Sequence, residues 1–253
     1  MDRGSYVAAS GGILQMLKLD VIANNLANAN TPGFKKQQVV TEPTPFEQTI
    51  AAEVTRNDPQ TRRDHDLIVP VGAVRTVTDF SQGSIQNTGN PLNVALRSAD
   101  HFLAVQGANG IEYTRAGNFV LNEAGELATA DGAVVQGDGG AIVTNGPDVR
   151  ILENGMINVN NLPVGQLAIF KVNDLSTLQA VGNGRFRLVD RSTAPEQVQG
   201  GLIPGALETA NSSVVSSMIE MIAASRGFEM YTKSQQTIDG LNQTAISQVG
   251  RRA

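Results

Sequence analysis

The chain has 253 residues, 41% hydrophobic and 17% charged, which is enough apolar content for a buried core and too much for a disordered chain. Its net charge of −5 argues against nucleic acid as the main partner, and the lack of cysteine excludes disulfides and thiolate metal sites. No apolar run approaches the ~20 residues needed to span a bilayer, so no membrane insertion is expected.

The first predicted element is a helix over about residues 5–29. Ile13, Leu14, Met16, Leu17 and Leu19 lead into Val21, Ile22, Ala23, Leu26 and Ala27, at the spacings of an apolar helix face. Asn24, Asn25, Asn28 and Asn30 interrupt that face. Asn is a poor helix former because its amide competes for backbone partners, so the cluster points to bonds made outside the helix. Thr31-Pro32-Gly33 should stop the helix, with Gly33 at the positive-φ position of a type II turn. Phe34 and the pair Lys35-Lys36 follow as an anchor ring and two charges.

Residues 37–73 read as a connecting region. Pro45 is placed to open a short helix through Val54, and residues 56–66 form a polar loop in which Asp58, Asp64 and Asp66 dilute Arg56, Arg62 and Arg63. From Val74 to about Val189 the pattern changes to short strands. Leu92, Val94 and Leu96 alternate as in a half-buried strand. Turn signals recur at Asn109-Gly110, Ala116-Gly117, Ala124-Gly125, Asp131-Gly132, Gly139-Gly140, Asn145-Gly146 and Asn154-Gly155, a punctuation that suits an all-β barrel or sandwich. The expected core includes Phe80, Phe102, Val105, Tyr113, Phe119, Leu121, Leu127, Val134, Leu167, Ile169, Phe170 and Phe186. Residues 192–210 form a return linker. A second long helix should run from Asn211 to about Val249, with Asn211 or Ser212 as its N-cap. Its stripe of Val214, Met218, Met221, Ala224, Phe228, Tyr231, Ile238, Ala245 and Val249 approximates an a/d repeat, which Val215, Ile219 and Ile222 widen.

Several of these stretches resemble one family. Ala23-Asn24-Asn25-Leu26-Ala27-Asn28, with Thr31, Gly33, Phe34 and Lys35, resembles the N-terminal signature of bacterial flagellar rod and hook proteins. Gln82-Gly83 with Thr88 and Pro91 to Leu96, then Tyr113-Thr114-Arg115-Ala116-Gly117-Asn118-Phe119 and Gly125-Glu126-Leu127, is similar to that family's middle region. Ser212 to Glu229, with Met221-Ile222 and Arg226-Gly227-Phe228-Glu229, resembles its C-terminal run. Four positions depart: Asn93 replaces the usual Asp, Ser98 to Leu103 stands where many members have G-x-G-F-F, Ser213 lies at a variable position, and Ser217 replaces an acidic residue. Within the family, the start, the length and the motifs T-P-G-F and S-R-G-F-E-M look most like a proximal rod member. The distal rod member is the alternative.

The resemblance implies an α+β fold in which the N- and C-terminal helices pair as an antiparallel coiled coil beside the β-rich, barrel- or sandwich-like middle. The segments are then 1–36 and 211–253 (axial core), 37–73 (connection), 74–191 (outer domain) and 192–210 (return linker). It also implies other rod subunits, copies of itself and the export apparatus as partners, and a place in the periplasmic rod of the basal body. Export without a cleaved signal is expected too, because the start lacks a basic region followed by a sustained apolar core. The expected assembly interface is Asn24, Asn25, Leu26, Asn28, Pro32, Gly33, Phe34, Met218, Met221, Ile222, Arg226, Phe228 and Tyr231. Arg115 and Arg226 each sit beside an aromatic residue in a family-like motif. Either is read as a bridge to a neighbour or as an intrachain pair, Arg226 with Glu229.

Chemistry-bearing patterns are sparse, and no catalytic, cofactor or metal residues are expected. His65 and His101 are the only histidines and have no zinc spacing, and no P-loop, dinucleotide or G-x-S-x-G fingerprint occurs. Gly137-Asp138-Gly139-Gly140 is one unrepeated copy of a calcium-roll-like run, read as turns. Asn211-Ser212-Ser213 and Asn242-Gln243-Thr244 match the glycosylation sequon by chance on a predicted helix. Glu112, Glu123, Glu126 and Asp131 define a second class, a peptidoglycan-cleaving β-domain, which needs two carboxylates at a set separation. A third class is a binding module whose helices form a private dimer.

Overall fold

The computed structural model describes residues 3–41, 74–108, 110–144, 146, 148–189 and 194–250. Expectations about Pro45 to Val54, the loop 56–66, His65, Asn109 and Asn145 lie outside them. Helix α1 spans Arg3–Ala27 and helix α2 spans Val214–Gly250. The described residues between them are strands, turns and one 3-10 turn at Leu175–Thr177. The fold is therefore α+β, with a helix at each end and a β-rich middle.

The chain divides into two compact units. One holds α1 through Asn25, the strand Gln37–Thr41, its partner strand Val74–Thr78 through Val77, and α2 from Val215. Residues Leu26–Lys36 belong with Thr78–Val214 in the other, the β unit.

The main sheet of the β unit has ten antiparallel strands. Its path runs Leu178–Gly182, Arg185–Leu188, Gly110–Thr114, His101–Gly107, Val134–Gly137, Leu127–Thr129, Phe119–Leu121, with Ile169–Lys171 also pairing along His101–Gly107. This order does not return on itself, so of the barrel or sandwich expected, a closed barrel is not formed among the described residues. A three-stranded meander follows at Val149–Ile151, Met156–Val159 and Leu162–Gln166. Its second hairpin turns on Asn160 and Asn161, both at positive φ, as a two-residue primed turn requires. Two small ladders join Val94–Leu96 to Leu202–Pro204 and Ile85–Asn87 to Ala206–Glu208.

The strand His101–Gly107 separates two buried clusters. Phe102 joins Phe80, Tyr113 and Phe186, while Leu103 and Val105 join Val94, Leu96, Leu127, Val135, Ile157 and Ile169. The aromatic side packs edge to face, with centroids 5.1 Å apart for Phe80–Phe186 and 5.8 Å for Phe80–Phe102. A strand covered on both sides reads as a continuous apolar run. Val94-Ala95-Leu96 is such a strand, buried throughout, and not the half-buried one its alternation predicted. Two expected core residues also move. Leu121 is exposed, and Val134 gives its core place to Val135, because one step along a strand changes the face. The Ala116-Gly117 signal is no turn either: a Cβ on Gly117 would lie 1.9 Å from the Val94 carbonyl oxygen, and Gly117 O accepts the Val94 N–H at 3.0 Å. That glycine permits two backbones to touch.

Candidate assembly site and charged junction

The helical unit is held by small residues. A Cβ on Gly11 would lie 2.3 Å from the Tyr231 ring, and one on Gly227 3.1 Å from Gln15. The buried positions of α2 are Ser217, Ala224 and Gly227, with Met221, Tyr231, Gln235 and Ile238 half-buried. The inward stripe therefore takes Ser217 and Gly227 where the a/d pattern picked their neighbours Met218 and Phe228. Met218 is 50% exposed and Phe228 39%. Val215, Ile219, Ile222 and Met230 are more than half exposed. At ~100° per residue they fall within about 80° of one another, opposite the buried stripe. Ile13 and Met16 of α1 are exposed as well. Helix α2 is thus apolar on two sides and covered on one. Thr232, Thr237 and Thr244 each donate a hydroxyl to the carbonyl four residues back, which settles their polar groups within the helix.

The Asn cluster behaves partly as expected. Asn25 is buried, its Nδ2 donating to Gln37 O at 2.7 Å and its Oδ1 accepting the Gln37 N–H at 2.8 Å. One side chain thereby satisfies both backbone groups of the residue that starts the first strand. Asn28 Oδ1 accepts from Thr31 Oγ1 at 3.3 Å, while Asn24 and Asn30 are exposed. An open groove of about 430 Å³ lies between Gln15, Lys18, Val21, Ile22 and Asn25 of α1, residues 37–39, and Glu220, Ala223 and Ala224 of α2.

The β unit contains a second construction, which local sequence reading missed. Thr31-Pro32-Gly33-Phe34 forms the predicted turn: Phe34 N donates to Thr31 O at 3.3 Å and Gly33 has φ +69°. Gly33 is required twice, since a Cβ there would also lie 2.4 Å from the Arg115 carbonyl carbon. Phe34 is buried just beyond, and Pro32 and Leu26 are half-buried. Lys35 then enters the interior, where Nζ reaches Glu208 Oε1 at 2.7 Å and Ser81 O at 2.5 Å. Arg115 takes the other carboxylate oxygen, with Nε and Nη2 at 2.8 and 2.7 Å from Glu208 Oε2. Its Nη1 donates to the carbonyls of Ser98, Ala99 and His101, closing the loop that departs from the family pattern. The guanidinium also lies 5.7 Å from the Phe102 ring centroid. All three charged side chains are fully buried. Burial holds the Lys35 ammonium below the usual lysine range; Arg115 adds to that shift and Glu208 opposes it. Of the two readings of Arg115, a bridge to a neighbour or an intrachain pair, the bonds to Glu208 are those of the second.

The backbone near these charges is stitched as well. Gly33 N donates to Glu208 O at 2.8 Å, Gly83 N to Glu208 Oε1 at 2.9 Å, and Lys36 N to Asn211 Oδ1 at 2.8 Å. Asn211 Nδ2 donates to Asp79 O and Ser81 O. Asn211 or Ser212 was expected to cap α2; the Asn211 amide is used here, tying the two ends of the β unit together.

Three of the four carboxylates of the hydrolase reading are also engaged, and Glu123 is exposed. Arg185 sits between two of them, 3.0 Å from Glu112 and 3.3 Å from Asp131. Asn122 Nδ2 donates to Glu126 at 2.8 Å. Burial alone would raise the Asp131 carboxyl, but hydrogen bonds from Thr129 and Asn183 and the Arg185 charge together hold it below the usual range. A general acid needs the opposite shift. Asp138-Gly139 forms a tight turn between paired residues Gly137 and Gly140, as the turn reading expected.

Three family models match the chain in order. "Flagella basal body rod protein" covers residues 6–35, "Flagellar hook protein FlgE/F/G D1 domain" covers 98–160, and "Flagellar basal body rod FlgEFG protein C-terminal" covers 203–248. The flagellar basal-body rod protein FlgF of Caulobacter vibrioides is 30% identical, with 99% of each chain covered. FlgF of Salmonella typhimurium is 33% identical over 94% of this chain and 95% of its own. FlgG of Bacillus subtilis is 32% identical over 98% and 99%. The chain belongs to the flagellar basal-body rod protein family. It is a structural subunit of the rod, and its identity to FlgF and FlgG relatives is alike. Each of the three matched stretches of this rod protein supplies one member of the charge triad: Lys35, Arg115 and Glu208.

Proposed function

We propose that this chain is a FlgF-like subunit of the proximal rod, whose terminal helices pair as an antiparallel coiled coil and are covered by copies of itself and by other rod subunits. FlgG-like placement in the distal rod is the alternative. The carrying observation is the exposed stripe of Val215, Ile219, Ile222 and Met230 opposite the buried face of α2. Apolar side chains in that number on one helix side favour removal from water by another surface. Neighbours meeting through unlike surfaces generate an open helical polymer. The segments 1–36 and 211–253 form the axial core of a hollow, torque-transmitting shaft, and 74–191 faces outward. Met218, Ile222, Arg226 and Phe228 belong to the interface. Asn25, Gly33 and Phe34 serve it indirectly, by fixing the chain around it.

The subunit works in the periplasm, reaches it through the flagellar export apparatus, and performs no catalysis. The ion-paired Glu112 and Asp131 support the structural reading over the hydrolytic one. In a strain lacking its own copy, the chain with Ile219→Asp and Met230→Asp should fold and be exported but fail to enter isolated basal bodies. Normal incorporation and motility would refute the proposal. Complementation of strains lacking FlgF or FlgG separates the two placements.

A further inference from the structure

The triad joins residues far apart in the chain. Lys35 and Glu208 are 173 positions apart, and Arg115 and Glu208 are 93 apart. Two cations share one carboxylate in a place without solvent. Taking a charge out of water is costly unless it is paired, so neither cation has reason to dock before the carboxylate is there. The other parts of the β unit do not wait for it. Apart from Leu202, the buried aliphatic cluster comes from Val94 to Ile169. Glu208 also brings its neighbourhood with it: its carbonyl holds Gly33, its carboxylate holds Gly83, and Asn211 holds Lys36.

We propose that Glu208 is the closing member of a latch, which docks residues 33–36 onto an already formed β core only after nearly the whole chain has become available. An incomplete chain then keeps its N-terminal turn undocked, and the segments that lead into the two helices are set together in a single late step. The latch acts within one chain, so its test is independent of assembly.

The test is amide hydrogen exchange on the purified full-length monomer. In the parent chain, Gly33, Gly83 and Lys36 should be protected together with the core amides of Leu127 and Thr129. Glu208→Gln leaves two buried cations without a counter-charge. It should bring Gly33, Gly83 and Lys36 to within about tenfold of an unstructured chain, while Leu127 and Thr129 stay on the order of 1,000-fold slower. Lys35→Met removes one cation and leaves a neutral Arg115–Glu208 pair, so it should loosen the junction far less. Combined with Glu208→Gln, it should restore at least about tenfold of the lost protection. The latch is overturned if junction and core amides lose protection together in Glu208→Gln. It is equally overturned if the junction keeps its protection, or if Lys35→Met gives no rescue.

Discussion

The two units of the chain solve the same problem in opposite ways. The β unit buries aromatic rings on one side of its central strand and aliphatic side chains on the other, and it pairs two buried cations with one carboxylate. The helical unit closes over small residues and leaves Val215, Ile219, Ile222 and Met230 in water. The difference teaches where each unit's stability comes from. A surface satisfied inside one chain has no need of neighbours, whereas a helix apolar on opposite sides needs two covers and finds one within its own chain. The first arrangement suits a body complete in itself, and the second a part finished by assembly.

Substitutions sharpen the contrast. The largest expected effect is that of Glu208→Gln, which should destabilise the β unit by about 3–5 kcal/mol in urea titration, because it leaves buried charge unpaired. A loss below about 1 kcal/mol would mean that the triad is better solvated than its burial indicates. Gly33→Val comes next. The positive φ and the approach to the Arg115 backbone should together cost about 2–4 kcal/mol, and the loss should appear in the β unit.

Asn25→Ala acts on the helical unit, removing both bonds to the Gln37 backbone, and should cost about 1–2 kcal/mol. A smaller effect follows from pH. The folded Lys35 releases its proton more readily than the unfolded chain does, whose lysine titrates near 10.5. As pH rises from the lowered value toward 10.5, the unfolded state binds more protons, so stability from this group should increase with pH. The difference in urea midpoint between the parent and Lys35→Met, followed up to about pH 10, measures it, and a falling trend would contradict the sign. Smallest of all, Ile219→Asp with Met230→Asp should move monomer stability by about 0.5 kcal/mol per site or less, since both side chains are already in water.

Much of this was legible in the residues. The two helices, the Thr31 to Phe34 turn, the β-rich middle and the family all follow from local pattern, because turns and helix stops are decided over a few residues. What escaped was long-range or a matter of size. Nothing near Glu208 marks it as a buried counter-ion, since its partners lie 93 and 173 positions away. A hydrophobic stripe on α2 correctly says that a side is apolar. It does not say which of two apolar sides faces inward, and close approach chose Ser217 and Gly227, beside the expected Ala224, over the greasier Met218 and Phe228. Asn211 could cap a helix or bond a distant backbone, and only the tertiary position of Lys36 and Asp79 decides between them.

The most direct test of the central claim uses the absence of native cysteine. Ile219→Cys places a single thiol in the middle of the exposed stripe of α2, where a maleimide reagent can report whether it is covered. The thiol should label rapidly in the purified monomer and resist labelling in isolated basal bodies that have incorporated the same chain. Equal labelling in both would show that the stripe stays open to water in the finished rod, and would contradict the account.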